Sequence, residues 1–283
     1  MSFAENWQRN SRGWIKFGAD AGIRKKLFPE GAMAHPAKAN LFMLQSVIDY
    51  LYKANELILD PMAGTGSIMI AALSGCKVIC IDTSPTYVKL LEESKSAISQ
   101  HKADAGILVL EGDCMDYLPI PVDHVCFSPP YVQIMAKTHL TPGDIAAIKV
   151  IAGRESARQR DIELTANKSF ARGDEESLLA YSEGKGNLGM MSEFFHMQRT
   201  EQVFAKCLSS LPPHGTMTII TKDHIEAGKR VHLTRKYQKA AERVGFKLVE
   251  AFKMEAHGTG FVEIHAKKGV PMVRDEDISL FRK

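Results

Sequence analysis

No run of apolar residues in the chain approaches the ~18 that a membrane-spanning helix needs. The opening segment, MSFAENWQRN, lacks the apolar core of a secretory signal, so the expectation is a cytoplasmic protein without membrane contact. Charge of one sign is also missing, with 36 basic residues against 33 acidic ones. A basic tail or a generally cationic surface is thereby excluded as the main source of nucleic-acid affinity, which would have to come from a local patch. Cysteine is sparse. Cys76, Cys80, Cys114, Cys126 and Cys207 form no C-x-x-C pair and no Cys/His ligand spacing, so no metal is expected. Four of them sit in or beside apolar runs and read as reduced, buried thiols. Internal repeats and low-complexity tracts are absent. The apolar content, 45%, suffices for one sizeable core or for a domain carrying an insertion.

What the chain does have is alternation. Short β-branched runs predict strands at 56–60 (ELILD), 77–81 (KVICI), 107–110 (ILVL), 123–127 (DHVCF), 216–221 (TMTIIT), 246–252 (FKLVEAF) and 260–266 (GFVEIHA). Helices are predicted over 66–74, 84–99, 192–210 and 232–244, which makes an α/β parallel sheet the expected class. The connection MEAHG between the last two strands is too short for a crossover helix, so those strands should pair antiparallel. Upstream, Leu41, Leu44, Val47, Ile48 and Leu51 recur at helical spacing within 39–53, an amphipathic helix closing on the core. Roughly 60 residues after the fourth strand fit no α/β step and read as an insertion or a lid.

The first strand runs into Asp60-Pro61-Met62-Ala63-Gly64-Thr65-Gly66-Ser67 and then a helix, a turn that lets a ligand approach backbone N–H groups. A dinucleotide site would need a third glycine where Met69 stands, and a phosphate loop would need Gly-Lys-Ser/Thr; neither is there. A lone G-x-G also serves as a plain tight turn. Asp82 ends the second strand about 20 residues on, where a carboxylate can accept ribose hydroxyl hydrogens.

The fourth strand ends in Ser128-Pro129-Pro130-Tyr131. The Pro-Pro pair stiffens the backbone and removes two N–H donors, so carbonyl oxygens can point into a crevice. The segment resembles the catalytic tetrapeptide of amino-methyltransferases, which implies an exocyclic amine as target, a poor nucleophile because its lone pair is delocalised into the ring. Acceptors at the Ser128 hydroxyl and the Pro129 carbonyl would bind its two hydrogens and favour a pyramidal nitrogen, a gain realised mainly in the transition state. Tyr131 would stack on the ring. None of the cysteines has the Pro-Cys context of carbon-5 methylation. A strand-terminating turn is the bland alternative.

Asp60 to Gly66 resembles the D-P-x-x-G-x-G loop of amino-methyltransferases, the DNA N4-cytosine/N6-adenine family, and SPPY resembles that family's catalytic tetrapeptide. The resemblance implies a class I S-adenosylmethionine-dependent, Rossmann-like fold. Its sheet would have seven strands, mostly parallel with the last antiparallel, and helices on both faces. It further implies that the loop wraps the methionine part of S-adenosylmethionine, with Asp82 and Thr83 at the ribose. Asp113 and Cys114 would lie at the adenine, after the third strand. His35-Pro36-Ala37-Lys38 is similar to the family's H-P-x-K segment, which places His35 and Lys38 at the methionine end. The resemblance covers 35–131 specifically. It is looser over 186–266, where Gly186-Asn187-Leu188 and Thr221-Lys222-Asp223 are similar to phage and archaeal members. The implied parts are an N-terminal segment (1–34), a cofactor and catalytic half (35–131), a target-recognition insertion (132–190), a second half (191–270) and a tail (271–283).

The implied partner is double-stranded DNA with the target base flipped out of the stack. Arg154, Arg158 and Arg160 in the insertion, and Lys229 and Arg230 in the basic stretch 222–239, are the candidate DNA contacts, although mixed-charge runs are usually solvated faces. Tyr131, Phe194 and Phe195 could line the base's space, although the last two are expected to face a helix core. Serine in the tetrapeptide leans towards cytosine N4 over adenine N6. The alternatives are an RNA methyltransferase of the tRNA guanine-N2 type and a non-catalytic methyltransferase-like module that binds nucleic acid.

Overall fold

A computed structural model describes residues 2–34, 38–130, 188, 191–226, 228–256 and 271–283. Five parallel strands form the left and centre of one sheet: β1 (Leu57–Asp60), β2 (Lys77–Asp82), β3 (Ile107–Glu111), β4 (His124–Phe127) and β5 (Thr216–Thr221). With β8 (Lys247–Glu255) and β9 (Asp275–Arg282) the order across the sheet is β3-β2-β1-β4-β5-β9-β8, and β9 runs antiparallel to both its neighbours. A separate hairpin pairs β6 (His224–Glu226) with β7 (Lys229–Val231).

Side chains along the central strands alternate between two cores, as the two-residue period of a strand requires. Ile58, Val78 and Cys80 enter one core; Leu59, Ile79 and Ile81 enter the other. The first core is closed by α3 (Leu41–Leu51), the 3-10 helix Ser67–Ser74 and α4 (Pro85–His101). The second is closed by α6 (Glu193–Ser210) and α7 (Leu233–Val244). Both faces are therefore covered, and the seven-stranded sheet with its one antiparallel strand is the class I, Rossmann-like methyltransferase fold. Smaller helices are α1 (Ala21–Leu27), α2 (Gly31–Ala34) and α5 (Cys114–Tyr117). All five cysteines are free and buried.

Two expectations need correction. Residues 271–283 are not a tail: Asp275–Arg282 is β9, inserted between β5 and β8, and it supplies the antiparallel strand expected at 260–266. The 260–266 segment lies outside the described residues. Ile278, Leu280 and Phe281 of β9 are buried, so its apolar alternation signalled a strand that the charges at Asp275, Glu276 and Asp277 obscured. The 1–34 segment contributes Phe3, Ile15, Phe17 and Phe28 to the first core, and Phe3 stacks on Phe252 at 4.4 Å between ring centroids. Finally, Phe194 and Phe195 are 71% and 59% exposed on the first turn of α6 and do not face a core.

Candidate active site

Strand order reverses between β1 and β4, which lie side by side while their connections leave in opposite directions. In open α/β sheets such a point leaves a crevice beyond the carboxyl ends of the strands. The cleft here is lined at that place by residues from the ends of β1, β2 and β4 and the turn after β3: Asp60 to Thr65, Asp82, Thr83, Asp113, Cys114, Ser128, Pro129 and Pro130, with Lys38, Ser67 and Leu188 at its walls. Of the residues expected at the cofactor, Gly66 stands behind the surface and His35 lies outside the described residues. Tyr131, Arg154, Arg158 and Arg160 also lie outside them.

The loop is shaped by its own hydrogen bonds. The Asp60 carboxylate accepts from Met62 N at 3.0 Å, Ala63 N donates to the Ile81 carbonyl at 2.9 Å, and Gly64 N donates to Asp82 Oδ2 at 2.8 Å. Gly66 has φ +76°, a left-handed conformation that makes the turn need glycine for its backbone. Asp82 is held further by Ser84 N, 3.0 Å from Oδ1, at the N-cap of α4. Burial raises both acids, Asp60 to about 8 and Asp82 to about 6, against the N–H donors that favour their charged forms. Asp113 caps α5 by accepting from Met115 N at 2.9 Å and forms an ion pair with Arg199, so its carboxylate is already engaged on both oxygens.

At the other side of the cleft, Ser128 Oγ donates to the Ile220 carbonyl of β5 at 3.0 Å. A carbonyl can only accept, so the hydroxyl hydrogen is committed there and the oxygen's lone pairs remain for an incoming donor. Among the described residues nothing donates to the Pro129 carbonyl.

Sequence reasoning missed Arg24. It is 1% exposed and donates to Ser67 Oγ at 2.8 Å, to Asp20 Oδ2 at 2.7 Å and to the Ala39 carbonyl at 2.6 Å. Because guanidinium is donor-only, Ser67 must accept, and its own hydrogen is left for the cleft. Lys38, on the same wall, donates to the Met33 carbonyl at 2.7 Å, and burial beside Arg24 lowers it to about 8. This corner is therefore a positive, donor-rich pocket suited to a carboxylate. Only the Asp20 to Arg24 spacing on a short helix could have signalled it.

Of the candidate DNA contacts in the basic stretch, Lys229 is exposed. Arg230 is held by Asp223 at 2.7 Å and by both carboxylate oxygens of Asp275 at 2.9 and 2.7 Å. It is part of the scaffold joining the hairpin to β9.

Residues 5–93 match a family described as DNA methylase. No curated protein matches the chain. Among solved structures it is similar to TrmN from Thermus thermophilus, at 15% identity and a TM-score of 0.49, over 90% of this chain and 52% of that one; the chain thus spans about half of the Thermus protein's length. It is also similar to precorrin-6y C5,15-methyltransferase from Geobacter metallireducens (10% identity, TM-score 0.47, 94% and 98% of the two chains). A methyltransferase from Pyrococcus furiosus is similar too (10%, 0.46, 87% and 83%). The chemistry of the cleft suits S-adenosylmethionine, with a donor-rich corner at Lys38 and Ser67, a glycine turn close to it, and an acid at the end of β2.

Proposed function

We propose that the protein transfers a methyl group to the exocyclic amino group of a DNA base, with cytosine N4 favoured over adenine N6. The observation that carries this reading is the polarity of Ser128: its hydrogen goes to Ile220, which leaves its oxygen an acceptor, and Ser128 and Pro129 line the same cleft as Asp60 to Thr65. Two acceptors and no donor are what a primary aromatic amine requires.

In this reading Lys38 and Ser67 hold the carboxylate of S-adenosylmethionine, Asp82 accepts from its ribose, and Met62 to Thr65 enclose the methionine chain. Asp113 and Cys114 lie towards the adenine. The cofactor supplies an electrophilic methyl on a sulfonium. Ser128 and Pro129 accept the two amine hydrogens and draw the nitrogen out of conjugation, an effect strongest in the transition state. Tyr131, outside the described residues, stacks on the base by analogy with the family tetrapeptide. The DNA contacts are assigned to Arg154, Arg158 and Arg160 of the 132–190 segment, which leaves from Pro130 and returns at Leu188, both lining the cleft. The partner is double-stranded DNA with its target base flipped out.

Mass spectrometry of nucleosides from cells expressing the protein tests this. Appearance of N4-methylcytosine or N6-methyladenine in DNA, lost in Ser128→Ala, supports the reading and names the base. Methylated RNA nucleosides with unmodified DNA would overturn the DNA assignment and leave the amine chemistry standing.

A further inference from the structure

Burial of a guanidinium costs free energy unless acceptors meet its hydrogens. Arg24 of α1 is buried, and its two terminal nitrogens reach acceptors on three separate pieces of chain. Nη2 donates to Asp20 Oδ2 at 2.7 Å and to the Ala39 carbonyl at 2.6 Å, while Nη1 donates to Ser67 Oγ at 2.8 Å. Neighbouring bonds tie two of these pieces together. Leu41 N donates to Asp20 Oδ2 at 2.9 Å, and Asn40 Nδ2 donates to the Gly18 carbonyl at 2.9 Å. Residues 18–24 thus grip 39–41, the entry to α3. Nη1 meanwhile holds the first residue of the 3-10 helix that follows the glycine turn. Lys38, Ala39 and Ser67 all line the cleft, and Arg24 stands behind them.

The polarity of these bonds sets what the wall offers. A guanidinium has donors only, so Ser67 Oγ accepts, and its own hydrogen goes to no described residue. The bond to the Ala39 carbonyl fixes the backbone next to Lys38. We propose that Arg24 is a positioning residue for carboxylate recognition: from behind the wall it makes the Ser67 hydroxyl a donor and holds Lys38 in the same corner, so that the cleft selects S-adenosyl ligands that carry a carboxylate. The proposal rests on the placement of the cofactor's carboxylate given above. Asp82 is held by Gly64 N and Ser84 N, so the ribose end of the site does not depend on Arg24.

Calorimetric Kd values for S-adenosylmethionine and for its decarboxylated analogue test this, since the analogue lacks the carboxylate alone. Arg24→Lys keeps a positive charge beside Asp20 but has no planar fork to span three acceptors. It should lower the preference for S-adenosylmethionine about tenfold, the range of one hydrogen bond to a charged group, with Kd for the analogue within about twofold. Ser67→Ala should lower the preference similarly, and Arg24→Lys should add little in that background. A preference kept in Arg24→Lys overturns the proposal, as does equal loss of affinity for both ligands, which a merely structural role would give. A wild type without preference removes the carboxylate placement itself and the proposal with it. Should Arg24→Lys not fold, nitrogen-15 spectra of the wild-type guanidinium decide. A Ser67 hydroxyl that donates to a carboxylate becomes a better acceptor, so the Arg24 Nη1 resonance should move more with S-adenosylmethionine than with the analogue. Equal shifts overturn the proposal.

Discussion

Asp60 and Asp82 sit side by side in the loop, and their titration makes two measurable demands. A group raised in the folded state contributes stability that is full below its unfolded value and is lost as pH rises through the folded value. Asp60, raised from 3.8 to about 8 by burial, therefore stabilises the protein increasingly as pH falls from about 8 towards 3.8. Melting temperature of the cofactor-free protein should rise over that window, and Asp60→Asn should flatten the slope and raise the melting temperature near pH 8. Asp82 is needed ionised to accept two ribose hydrogens, so cofactor affinity measured by calorimetry should fall as pH drops through about 6. Asp82→Ala should weaken binding by about 2–4 kcal/mol at neutral pH. Retained affinity in that variant would remove the ribose assignment. Ser128→Ala should instead leave affinity alone and lower turnover by about one to two orders of magnitude, because its contact is made to the amine. Asp60, Asp82, Ser128 and Pro129 were all legible in the sequence, since each follows a recognisable apolar strand. Arg24 was not: its partners are Ser67 and Ala39, far along the chain, and only folding brings them together.

At the level of elements, the hairpin β6–β7 shows how a basic stretch can mislead. Lys222 to Lys239 reads as a cationic face, yet Arg230 is bound to Asp223 and Asp275, and Lys253 of β8 reaches Asp275 and Asp277. These carboxylates sit at the ends of β5 and β9, and the cations neutralise them. Hydrogen bonds from Arg230 and its charge hold Asp223 and Asp275 below the usual carboxylate range despite burial. Their contribution is therefore present above 3.8 and disappears as pH falls through their lower folded values. Arg230→Ala should destabilise the protein by about 2 kcal/mol, a value discounted because the guanidinium is partly solvated. Lys229→Ala should leave the melting temperature unchanged. Equal melting temperatures for both variants would show that the ion network adds nothing to the fold.

On the scale of the whole molecule, one cleft collects the ends of β1, β2 and β4, and Pro130 and Leu188, which flank residues 131–187 in the sequence, both line it. In the function proposed above, the arginines of that segment are the DNA contacts. Replacing Arg154, Arg158 and Arg160 by alanine should leave cofactor affinity unchanged and weaken DNA binding. If the contacts are to phosphates, the salt dependence should flatten; if one is to a base, preference should relax at a single position. A triple variant with unaltered rate and site preference would shift recognition elsewhere, with exposed Phe194 and Phe195 the next surface to test.

Local pattern was enough for the strand–loop–strand units, because a two-residue apolar period and a glycine turn are properties of neighbouring residues. The loop Asp60 to Gly66, the acid at Asp82 and the Ser-Pro-Pro segment could be read that way, together with the class of chemistry they suit. Pairing at a distance could not. That Asp275–Arg282 slots between β5 and β8, that Arg230 serves as scaffold, and that Arg24 reaches Ser67 all depend on contacts between residues remote in the chain. Their sequence separation leaves no periodic trace, and their energy exists only once the sheet has assembled.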